Sequence, residues 1–452
     1  MAKAKHFRRL SAALGIMLVA LAAVGCKGSS MSGDVRIVAT VAQLKAMDPS
    51  KYKNITTLGY HVAGDGGGGS YVFDANDDAR DNGGTVLAAK GGGRWKLVSS
   101  GTLSLRQFGA KGDDRTDDTE SIQNWLNAIR KGQTGYAPAG RYRFSKPLTG
   151  PIREAVGIRG DGSQQTVFVY NGEDRDTDLI TFGSDDFNLT GWTLSSFGID
   201  SRTNMTGGAA LHIKRMVGGT RLNDVSISAL NKPKNCWNGV WFDRTNVTTY
   251  ETFEINVQNE GIMISGTGND DSASDLVLDK GTITFCRVGI HAGGGFGGLY
   301  VGQVLVYGAK KSGFLQDNSL AKRGNREIIL SNLCVLDACH EYNVHINDPL
   351  SQMATLQMDA YLSGAGWIAP AEPGDGFYIQ SLPQGRVSVS ASQIRFNSRH
   401  GINIADESTR VQISPTTYIV NNKGVGILAS DPSNIEANCR FEGNVLGDIK
   451  KP

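Results

Sequence analysis

The feature that most constrains how this chain can fold is an internal repeat that begins at about residue 150. A four-residue unit, glycine followed by an apolar residue, any residue and a second apolar residue, recurs at intervals of about 22 to 33 residues. A second short apolar pattern precedes the earlier units, and no helical pattern separates them. Repeats of this kind are typical of parallel β-helix coils, so the sequence predicts an all-β solenoid. The units, some of them imperfect, begin at Ala210, Gly239, Gly261, Gly289, Gly313, Asn343, Gly376, Gly401 and Gly424.

Strand alternation converts this repeat into a predicted surface. The apolar residues of each unit point into the stack, and the residue between them points outward, about 4.8 Å from its equivalent in the next coil. Ring faces beside hydrogen-bonding groups suit a sugar, so we expect a polysaccharide to bind through His212, Trp241, His291, His345 and Tyr378. The alternative is that the strip packs under a loop or against another subunit. The whole outward column, which we call the ring column, is His212, Trp241, Met263, His291, Leu315, His345, Tyr378 and Asn403.

Outward carboxylates on the strand before each unit are candidates for acid–base chemistry. Asp224 and Glu254 are predicted to lie on neighbouring coils with their backbones roughly 8 Å apart. Inverting glycosidases hold an acid and a base about 6.5 to 9.5 Å apart, so we predict Glu254 as the protonated acid and Asp224 as the base. Asp200 and Asp243 are further catalytic candidates. The alternative is that cross-strand ion pairs account for these carboxylates, Glu254 with Lys280 and Asp243 with Lys214.

The histidines of the ring column predict no metal site. A zinc ion needs several ligands that converge on one point, whereas His212, His291 and His345 are separated by two or more predicted coils. An acidic loop at residues 266–275 could bind calcium, but it lacks the terminal glutamate of an EF-hand, and a solvated turn is the favoured interpretation. The carboxylates of this loop are those of Asp270, Asp271 and Asp275.

The first residues are typical of an export signal. Basic residues precede an apolar stretch at residues 10–24 that is too short to span a bilayer comfortably, so residues 1–25 are predicted to be a removed signal peptide. Gly25 and Cys26 end this stretch as in a lipobox, which predicts lipidation of Cys26 and a lipid-anchored tether at residues 26–34. We therefore expect an exported protein of the cell envelope, anchored in the outer membrane or at the cell surface. The alternative is an ordinary secretory signal with an incidental cysteine.

Charge and composition narrow the class of partner. The chain carries 46 Lys and Arg against 44 Asp and Glu, and it lacks the basic block that nucleic-acid-binding proteins carry. Nucleic acid is therefore not a predicted partner. The 58 glycines and 12 prolines suit a turn-rich folded chain rather than a disordered one.

Asparagines and cysteines are predicted to lie inside the coils or at their turns. Asparagines near the turns could stack as side-chain ladders, and the candidates are Asn259, Asn397, Asn421 and Asn444. The cysteines beyond Cys26 lack the paired spacing of a zinc site or a disulfide framework, and most fall in apolar strand patterns, so burial is expected. They are Cys236, Cys286, Cys334, Cys339 and Cys439.

The region before the repeat divides into a module and a helix. Residues 35–103 carry short apolar runs between glycine-rich turns and are predicted to form a small β-rich module. Asp117 and Glu120 then form a predicted capping box for one amphipathic helix. We expect this helix to cover the open end of the solenoid, whose domain is predicted at residues 104–452. The apolar face of the helix consists of Ile122, Trp125, Leu126 and Ile129.

Two segments resemble known proteins. The segment 103–128, with Phe108-Gly-Ala-Lys-Gly-Asp113 and Thr116-Asp-Asp118, is similar to the entry of the pectate-lyase-like β-helix superfamily. The segment 58–73, continued through Trp95, resembles the region before the β-helix in bacteriophage tailspike depolymerases. The resemblance implies a right-handed parallel β-helix that degrades a polysaccharide. The reaction stays open between hydrolysis and β-elimination, because the Gly-His-Gly and Arg-Ile-Lys motifs of polygalacturonases do not occur in the sequence.

Two functions from different classes remain open at this point. The first is a polysaccharide-degrading enzyme, either a glycoside hydrolase or a polysaccharide lyase. The second is a non-catalytic surface lipoprotein that binds a glycan or another protein along the same strip. A homotrimer is also expected, from the tailspike-like first module and from the predicted outward positions of Leu305, Tyr307 and Leu315.

Overall fold

The computed structural model of the chain describes residues 36–99, 101–228, 235–266, 274–293, 295, 297–318, 327–350, 355–369 and 374–452, with residues 332 and 333 described as backbone only. Three predictions fall outside these ranges. They concern the signal peptide at residues 1–25, the tether that begins at Cys26, and the loop carboxylates of Asp270 and Asp271. Neither α-helix within the described ranges has the length and apolar character that a membrane span needs.

The first module is a small five-stranded sheet with one helix on it, which confirms the predicted β-rich region. The strands pair in the order β1-β2-β3-β5-β4, and the core contains the buried side chains of Tyr71 and Trp95. Its elements are β1 Arg36–Val38, α1 Val41–Ala46, β2 Asn54–Thr57, β3 Gly69–Asp74, β4 Val86–Ala88 and β5 Arg94–Leu97.

The solenoid follows directly, and its first strand lies two residues before the predicted domain start. The entry elements are β6 Thr102–Ser104, β7 Asp113–Asp117, α2 Thr119–Ala128, β8 Thr134–Tyr136, β9 Gly140–Phe144, β10 Leu148–Thr149, β11 Gly157–Arg159, β12 Thr166–Tyr170 and β13 Ile180–Gly183. The central strands are β14 Thr193–Ser201, β15 Ala209–Lys214, β16 Val217–Ile227, β17 Asn238–Asp243, β18 Asn246–Ile255, β19 Glu260–Ser265, β20 Ser274–Thr284, β21 Val288–Gly293, β22 Gly298–Tyr307, β23 Ser312–Asp317, β24 Glu327–Asp337 and β25 Tyr342–Asn347.

The last coils are built from shorter strands. These are β26 Thr355–Ser363, β27 Asp375–Ser381, β28 Arg386–Val389, β29 Gln393–Arg395, β30 Ile402–Ile404, β31 Arg410–Ile413, β32 Tyr418–Val420, β33 Ile427–Ala429, β34 Ile435–Ala437, β35 Arg440–Glu442 and β36 Ile449–Lys450. All of the solenoid strands belong to two sheets, one of 12 strands and one of 19 strands. Their pairings are parallel, so the predicted parallel β-helix is confirmed.

The long strands of the 19-stranded sheet each supply two sides of a coil. β11 and β12 pair with the first and second halves of β14. In the same way, β28 and β29 pair with the first and second halves of β26. The third side of each coil is a strand of the 12-stranded sheet, in the order β10-β13-β15-β17-β19-β21-β23-β25-β27-β30-β33-β36. A central coil therefore has three sides around one apolar interior.

The apolar positions of the repeat fill this interior. In β17 the side chains of Val240 and Phe242 are buried, whereas Trp241 between them is partly exposed. The parallel register places Val240 beside Ile262 of the next coil, so equivalent apolar residues stack on one another. The cysteines follow the expected pattern, because Cys236, Cys286, Cys334 and Cys339 are buried and Cys439 is half-buried.

An asparagine ladder runs inside the last coils. The Nδ2 atom of Asn343 donates to Oδ1 of Asn397 (3.3 Å), Asn397 donates to Asn422 (2.8 Å), and Asn422 donates to Asn444 (2.9 Å). Asn343, Asn397 and Asn422 are fully buried. Each amide thus satisfies the amide of the next coil where water cannot reach.

Two of the predicted ladder members lie elsewhere. Asn421 is exposed at a φ of 57°, and its neighbour Asn422 takes the inner position. A slip of one residue along a strand exchanges the inner and outer faces, which is why the prediction of Asn421 was wrong. Asn259 bonds instead to Asn238, through Nδ2 and Oδ1 at 2.9 Å.

Helix α2 covers the first coils, as expected. Its apolar residues Ile122, Trp125 and Leu126 are buried, and Ile129 directly after the helix is buried as well. The indole Nε1 of Trp125 donates to the carbonyl oxygen of Leu103 (2.8 Å) and so joins the helix to β6.

The predicted capping box of this helix is wrong. β7 extends through Asp117, so the residue before the helix is Asp118. The carboxylate of Asp118 does not cap the helix, because it accepts from the backbone N–H groups of Lys111 (2.8 Å) and Gly112 (2.9 Å). Asp117 instead accepts from the backbone N–H of Thr119 (3.0 Å).

A column of residues with positive φ marks the corner at which the 19-stranded sheet ends in each coil from β20 onward. The backbone N–H of each corner residue donates to the carbonyl oxygen of the residue that precedes the corner of the next coil. Phe285 donates in this way to Tyr307 (2.8 Å), and Gly308 donates to Asp337 (3.0 Å). Glycine is frequent here because it adopts positive φ without strain. We call this column the left-handed corner, and its members are Phe285, Gly308, Ala338, Gly364, Phe396, Asn421 and Gly443.

Candidate functional site

The structure places the predicted ring residues in one column on the outer side of the 12-stranded sheet. Cα partners across neighbouring strands connect them in the predicted order, His212, Trp241, Met263, His291, Leu315, His345, Tyr378 and Asn403. Seven steps between strands give the column a length of about 34 Å. It is long enough for an extended chain to lie along it.

Three members of the column are nevertheless closed to solvent. The exposed fraction is 2% for His212, 3% for Leu315 and 7% for His345, so the expectation that these side chains face solvent is wrong. Neighbouring rings cover the two histidines. The rings of His212 and Trp241 stack with centroids 3.9 Å apart, and those of His345 and Tyr378 are 5.1 Å apart.

A first polar cluster surrounds His212. Its Nδ1 lies 2.6 Å from Oδ2 of Asp178, and its Nε2 lies 3.8 Å from Oδ2 of Asp243. The stacked indole of Trp241 donates through Nε1 to the hydroxyl of Ser265 (2.7 Å). The cluster therefore unites His212, Trp241 and Asp243, three of the predicted site residues, with Asp178, which the sequence analysis missed.

Asp243 is held as an anion by two neighbouring side chains. Arg244 donates to it through Nη2 (2.7 Å), while Lys214 pairs with Asp185 (3.0 Å), so the predicted pair of Asp243 with Lys214 is wrong. Burial raises the pKa of Asp243, but the nearby imidazole of His212 and the hydrogen-bonded guanidinium of Arg244 outweigh burial and bring that pKa down to about 2. A carboxylate so well stabilised is a poor proton acceptor near neutral pH.

His212 should make the stability of the fold depend on pH. Burial opposes the imidazolium, but the hydrogen bond to Asp178 and the nearby carboxylate of Asp243 outweigh burial and raise the pKa of His212. A pKa raised on folding stabilises the protein below the unfolded value of about 6.5, and this stabilisation is lost as pH rises through the folded value. We expect the urea midpoint to fall as pH rises above about 6.5, and to fall less in His212→Gln.

The matched control is His340→Gln, because His340 lies outside the cluster, at a turn after β24. This variant should keep the pH profile of the wild type. The interpretation fails if the His212→Gln and wild-type profiles have the same slope across this range.

A second cluster contains a histidine that solvent can reach. Nδ1 of His291 lies 2.9 Å from Oε2 of Glu260, and Arg287 donates to the other oxygen of the same carboxylate. Burial raises the pKa of Glu260, but the hydrogen bond and charge of His291 together with the charge of Arg287 hold that pKa below its usual value. Glu260 is therefore a buried anion that fixes the imidazole ring, and 27% of the His291 side chain is exposed.

The outward nitrogen of His291 can meet a ligand from the side of Gly293. A Cβ atom on Gly293 would lie at an ordinary van der Waals distance of 3.6 Å from Nε2 of His291, so the glycine leaves this side of the nitrogen without a side chain. A histidine with Nδ1 fixed by a carboxylate and Nε2 turned outward can transfer a proton to or from a bound molecule. This Glu260–His291 pair is the best candidate for acid–base chemistry along the column.

An aromatic platform lies further along the column. The rings of Tyr342 and Tyr378 stack with centroids 4.9 Å apart, and the ring of His345 contacts both. Nε2 of His345 lies 3.0 Å from Oε1 of Gln380. Burial is the main cause that raises the pKa of Tyr342 to about 12, so its hydroxyl stays neutral at ordinary pH.

A buried carboxylate supports this platform. Asp375 is fully buried, and it accepts from Nε of Arg399 (2.7 Å), from Nδ2 of Asn403 (2.9 Å) and from the backbone N–H of His400 (3.0 Å). Asp375 occupies the same place in its coil as Glu260 does in an earlier one, directly before the glycine of the repeat unit. The column thus carries buried anions at intervals, each paired with an arginine.

The other predicted catalytic residues lie on the 19-stranded sheet. Ile227 pairs with Ile255, which places Asp224 and Glu254 on neighbouring strands as predicted. Asp224 has a φ of 53°, and its carboxylate accepts from the backbone N–H of Ser163 (3.2 Å), two coils before it, whereas Glu254 lies one coil after it. Their role as acid and base stays a prediction.

Asp200 is largely committed to an ion pair. Its Oδ2 lies 3.4 Å from Nη2 of Arg141, and only 7% of the residue is exposed. Asp275, the loop carboxylate that lies within the described ranges, follows the start of β20. Across the described ranges, no group of three or more His, Cys, Asp or Glu residues is arranged to hold a metal ion.

Comparison with family models matches both parts of the chain. Residues 37–100 match the model of a small four-stranded β-sheet domain of phage tail proteins. Residues 102–315, just under half of the chain, match the pectate-lyase-like model of rhamnogalacturonase A and epimerases. The two resemblances that the sequence suggested are therefore confirmed.

Two curated relatives match short segments. A defective tail fibre protein of a Mu-like prophage in Haemophilus influenzae is 33% identical over 113 residues, which cover 24% of this chain and 18% of the relative. An alginate lyase of Azotobacter vinelandii is 42% identical over 71 residues, which cover 14% of this chain and 8% of the relative. The chain spans less than a fifth of the length of either relative.

Solved structures share the fold at low sequence identity. The A-module of a mannuronan C-5 epimerase from Azotobacter vinelandii superimposes with a TM-score of 0.55 at 16% identity, over 77% of this chain and 96% of the module. The tailspike of an Acinetobacter phage gives a TM-score of 0.54 at 14% identity, over 93% of this chain and 75% of the tailspike. These likenesses show the β-helical fold.

Proposed function

We propose that this chain, a pectate-lyase-like β-helix behind a phage-tail-like β-module, is a polysaccharide-degrading enzyme, either a glycoside hydrolase or a polysaccharide lyase. The observation that carries the proposal is the Glu260–His291 pair, whose partly exposed histidine lies in the ring column between Trp241 and Tyr378. The matches to a pectate-lyase-like model, to an alginate lyase and to tailspikes support the substrate class.

The ring column offers binding positions on both sides of His291. Trp241 lies two strands before it and Tyr378 three strands after it, at distances of about 10 Å and 14 Å along the column. Both aromatic side chains are partly exposed, so each can stack against the apolar face of a sugar ring. A chain held at both points crosses the outward Nε2 of His291.

His291 would move the proton in either reaction. In hydrolysis its Nε2 protonates the leaving oxygen or deprotonates the attacking water, and in β-elimination it removes the proton next to a sugar carboxylate. Glu260 stabilises the imidazolium that forms when Nε2 accepts a proton, because its carboxylate lies against Nδ1. Trp241 and Tyr378 would bind the glycan, and the buried rings of His212 and His345 would hold these two side chains in position.

Incubation with a panel of bacterial capsular and plant polysaccharides tests the proposal and separates the two reactions. New reducing ends without unsaturated uronates indicate hydrolysis, whereas the appearance of unsaturated uronates indicates β-elimination. The non-catalytic alternative predicts that the wild type binds a glycan and cleaves none of the panel. It also predicts that Trp241→Ala or Tyr378→Ala loses this binding.

The earlier prediction of Glu254 as acid and Asp224 as base remains the second candidate site. It is favoured by their neighbouring strands. Loss of turnover in Glu254→Gln and Asp224→Asn, with unchanged turnover in His291→Gln, would move the active site to the 19-stranded sheet. Asp200 and Asp243 would then be the next residues to replace.

Lipidation of Cys26 belongs to the proposal for localisation at the cell envelope. The apolar run that ends at Gly25 suits acylation of the following cysteine thiol. Mass spectrometry of the membrane fraction should show a diacylated or triacylated N-terminal Cys26. The Cys26→Ser variant should be absent from the membrane fraction. A soluble protein with an unmodified Cys26 would contradict this expectation.

A homotrimer is the proposed assembly. The phage-tail-like module supports it, and so does the exposed side chain of Leu305 on β22, beside the half-buried Tyr307. Leu315 no longer contributes, because it is buried on the other sheet. Light scattering should give about three times the mass of one chain, with a lower mass for Leu305→Lys. A monomer at micromolar concentration would exclude the trimer.

A further inference from the structure

A second aromatic cleft lies at the left-handed corner, away from the ring column. Trp367 is 70% exposed and Phe396 is 46% exposed, which is unusual for side chains of this size. Together with three polar side chains they line a cavity of about 330 Å³. The polar side chains are those of Ser398, Asn421 and Lys423.

The backbone at Phe396 indicates that its ring is held outward at a cost. Its φ is 56°, a conformation that a bulky residue rarely adopts, whereas the equivalent corner positions of two other coils carry Gly364 and Gly443. The ring does not enter the core, because it remains 46% exposed. The corner accepts glycine, alanine or asparagine in other coils, so its geometry does not require a phenylalanine here, and the other phenylalanine at the corner, Phe285, is also partly exposed (44%).

An arginine fixes the ring in place. The guanidinium of Arg395 lies 4.9 Å from the centre of the Phe396 ring and 5.0 Å from that of Tyr361. Nε and Nη2 of Arg395 also donate to the hydroxyl of Tyr361, at 2.9 and 2.7 Å. The wall of the cleft is thus built before any ligand arrives.

The charge of the cleft selects the kind of ligand. The nearby carboxyl of Asp337 offsets part of the charge of Arg395. Lys423 is exposed at the rim, so it is the cation that an incoming molecule meets. Asn421 and Ser398 supply hydrogen-bonding groups beside the aromatic faces. Aromatic faces with a polar rim suit a pyranose ring, and Lys423 favours one that carries a carboxylate.

We propose that this cleft is a second saccharide site, which binds a uronate unit of a polysaccharide chain. The ligand class rests on the proposed function, but the site is separate from the Glu260–His291 pair. The volume of about 330 Å³ lies at the lower end of the range for small-ligand pockets. Ser398 in the cleft directly precedes Arg399, which binds Asp375 under the aromatic platform, so the cleft adjoins the far end of the ring column.

Affinity electrophoresis of the full chain in gels that contain alginate, polygalacturonate or uncharged dextran tests this site. The wild type should be retarded by the two polyuronates and not by dextran. Trp367→Ala and Phe396→Gly should weaken the apparent affinity about tenfold. The glycine variant also relieves the positive φ at position 396, so misfolding would not account for its loss of binding. Lys423→Gln should weaken binding to the polyuronates.

Phe187→Ala is the matched control, because Phe187 is 59% exposed on another loop. This variant should bind like the wild type. Two results with the variants would exclude the second site: wild-type retardation of the cleft variants, or an equal loss of affinity in Phe187→Ala. Two results with the wild type would also exclude it: equal retardation by dextran, or no retardation by either polyuronate. The two proposals are read out separately, because loss of retardation in Trp367→Ala reports on the cleft, whereas cleavage of the polysaccharide panel by the wild type reports on the Glu260–His291 pair.

Discussion

Replacing His291 with glutamine should lower the turnover of a cleaved polysaccharide by about two to four orders of magnitude. Glutamine cannot exchange a proton near neutral pH, although it can still hydrogen-bond to Glu260. The substitution lies on a partly exposed position of β21, so the fold should be retained. The measurement is the initial rate of bond cleavage on whichever polysaccharide the panel identifies.

The comparison of His291→Gln with Glu260→Gln sharpens this expectation. The Glu260→Gln substitution keeps the shape of the side chain but removes the negative charge that stabilises an imidazolium, so turnover should also fall strongly. His340→Gln, away from the column, serves as the control and should cleave at the wild-type rate. Full activity in His291→Gln would show that this histidine takes no part in the reaction.

The largest effect on stability is expected from Asn397→Ala. The side chain of Asn397 accepts from the backbone N–H of Ala365 (3.0 Å) and from Asn343, and it donates to Asn422. Its removal leaves the buried N–H of Ala365 without a partner, which costs about 1 to 3 kcal/mol. It also takes one hydrogen bond from Asn343, which keeps its bond to Ser363, and one from Asn422, which keeps the backbone N–H of residue 397, and each of these losses costs about 0.5 to 1.5 kcal/mol. Urea unfolding should therefore show a loss of about 3 to 5 kcal/mol.

An asparagine on the surface provides the control for this experiment. Asn223 is exposed on β16, and Asn223→Ala should change the free energy of unfolding by less than about 0.5 kcal/mol. If Asn397→Ala were no more destabilising than Asn223→Ala, the ladder would not contribute measurably to the stability of the last coils.

The coil architecture could be predicted from the sequence because it depends on local periodicity. The order of the ring column follows from the alternation of strand residues, and it holds from His212 to Asn403. The exposure of individual rings could not be predicted in this way. His212 is buried because Trp241 stacks on it and Asp178 bonds to it, and these contacts depend on turns that the repeat does not specify.

Part of the candidate site could have been found by extending the repeat by one residue. Glu260 and Asp375 each stand directly before the glycine of their unit, as does Asn238, and neither the predicted ring column nor the predicted carboxylates include this position. Asp178 occupies the same position in the coil of β13, but Leu179 follows it where the later units have glycine, so the repeat did not indicate it. Asp224 and Glu254 were placed correctly along the strands, but the positive φ of Asp224 is a tertiary feature.

The left-handed corner has a consequence for how proteins of this shape change in length. Its hydrogen bonds join backbone groups of adjacent coils, so a corner needs a compatible φ from its residue and no particular side chain. Removing or duplicating one complete coil would therefore join two corners that already fit each other. Growth by whole coils, rather than by single residues, preserves the pairing register on all three sides and is the route by which such a scaffold can evolve a longer or shorter binding surface.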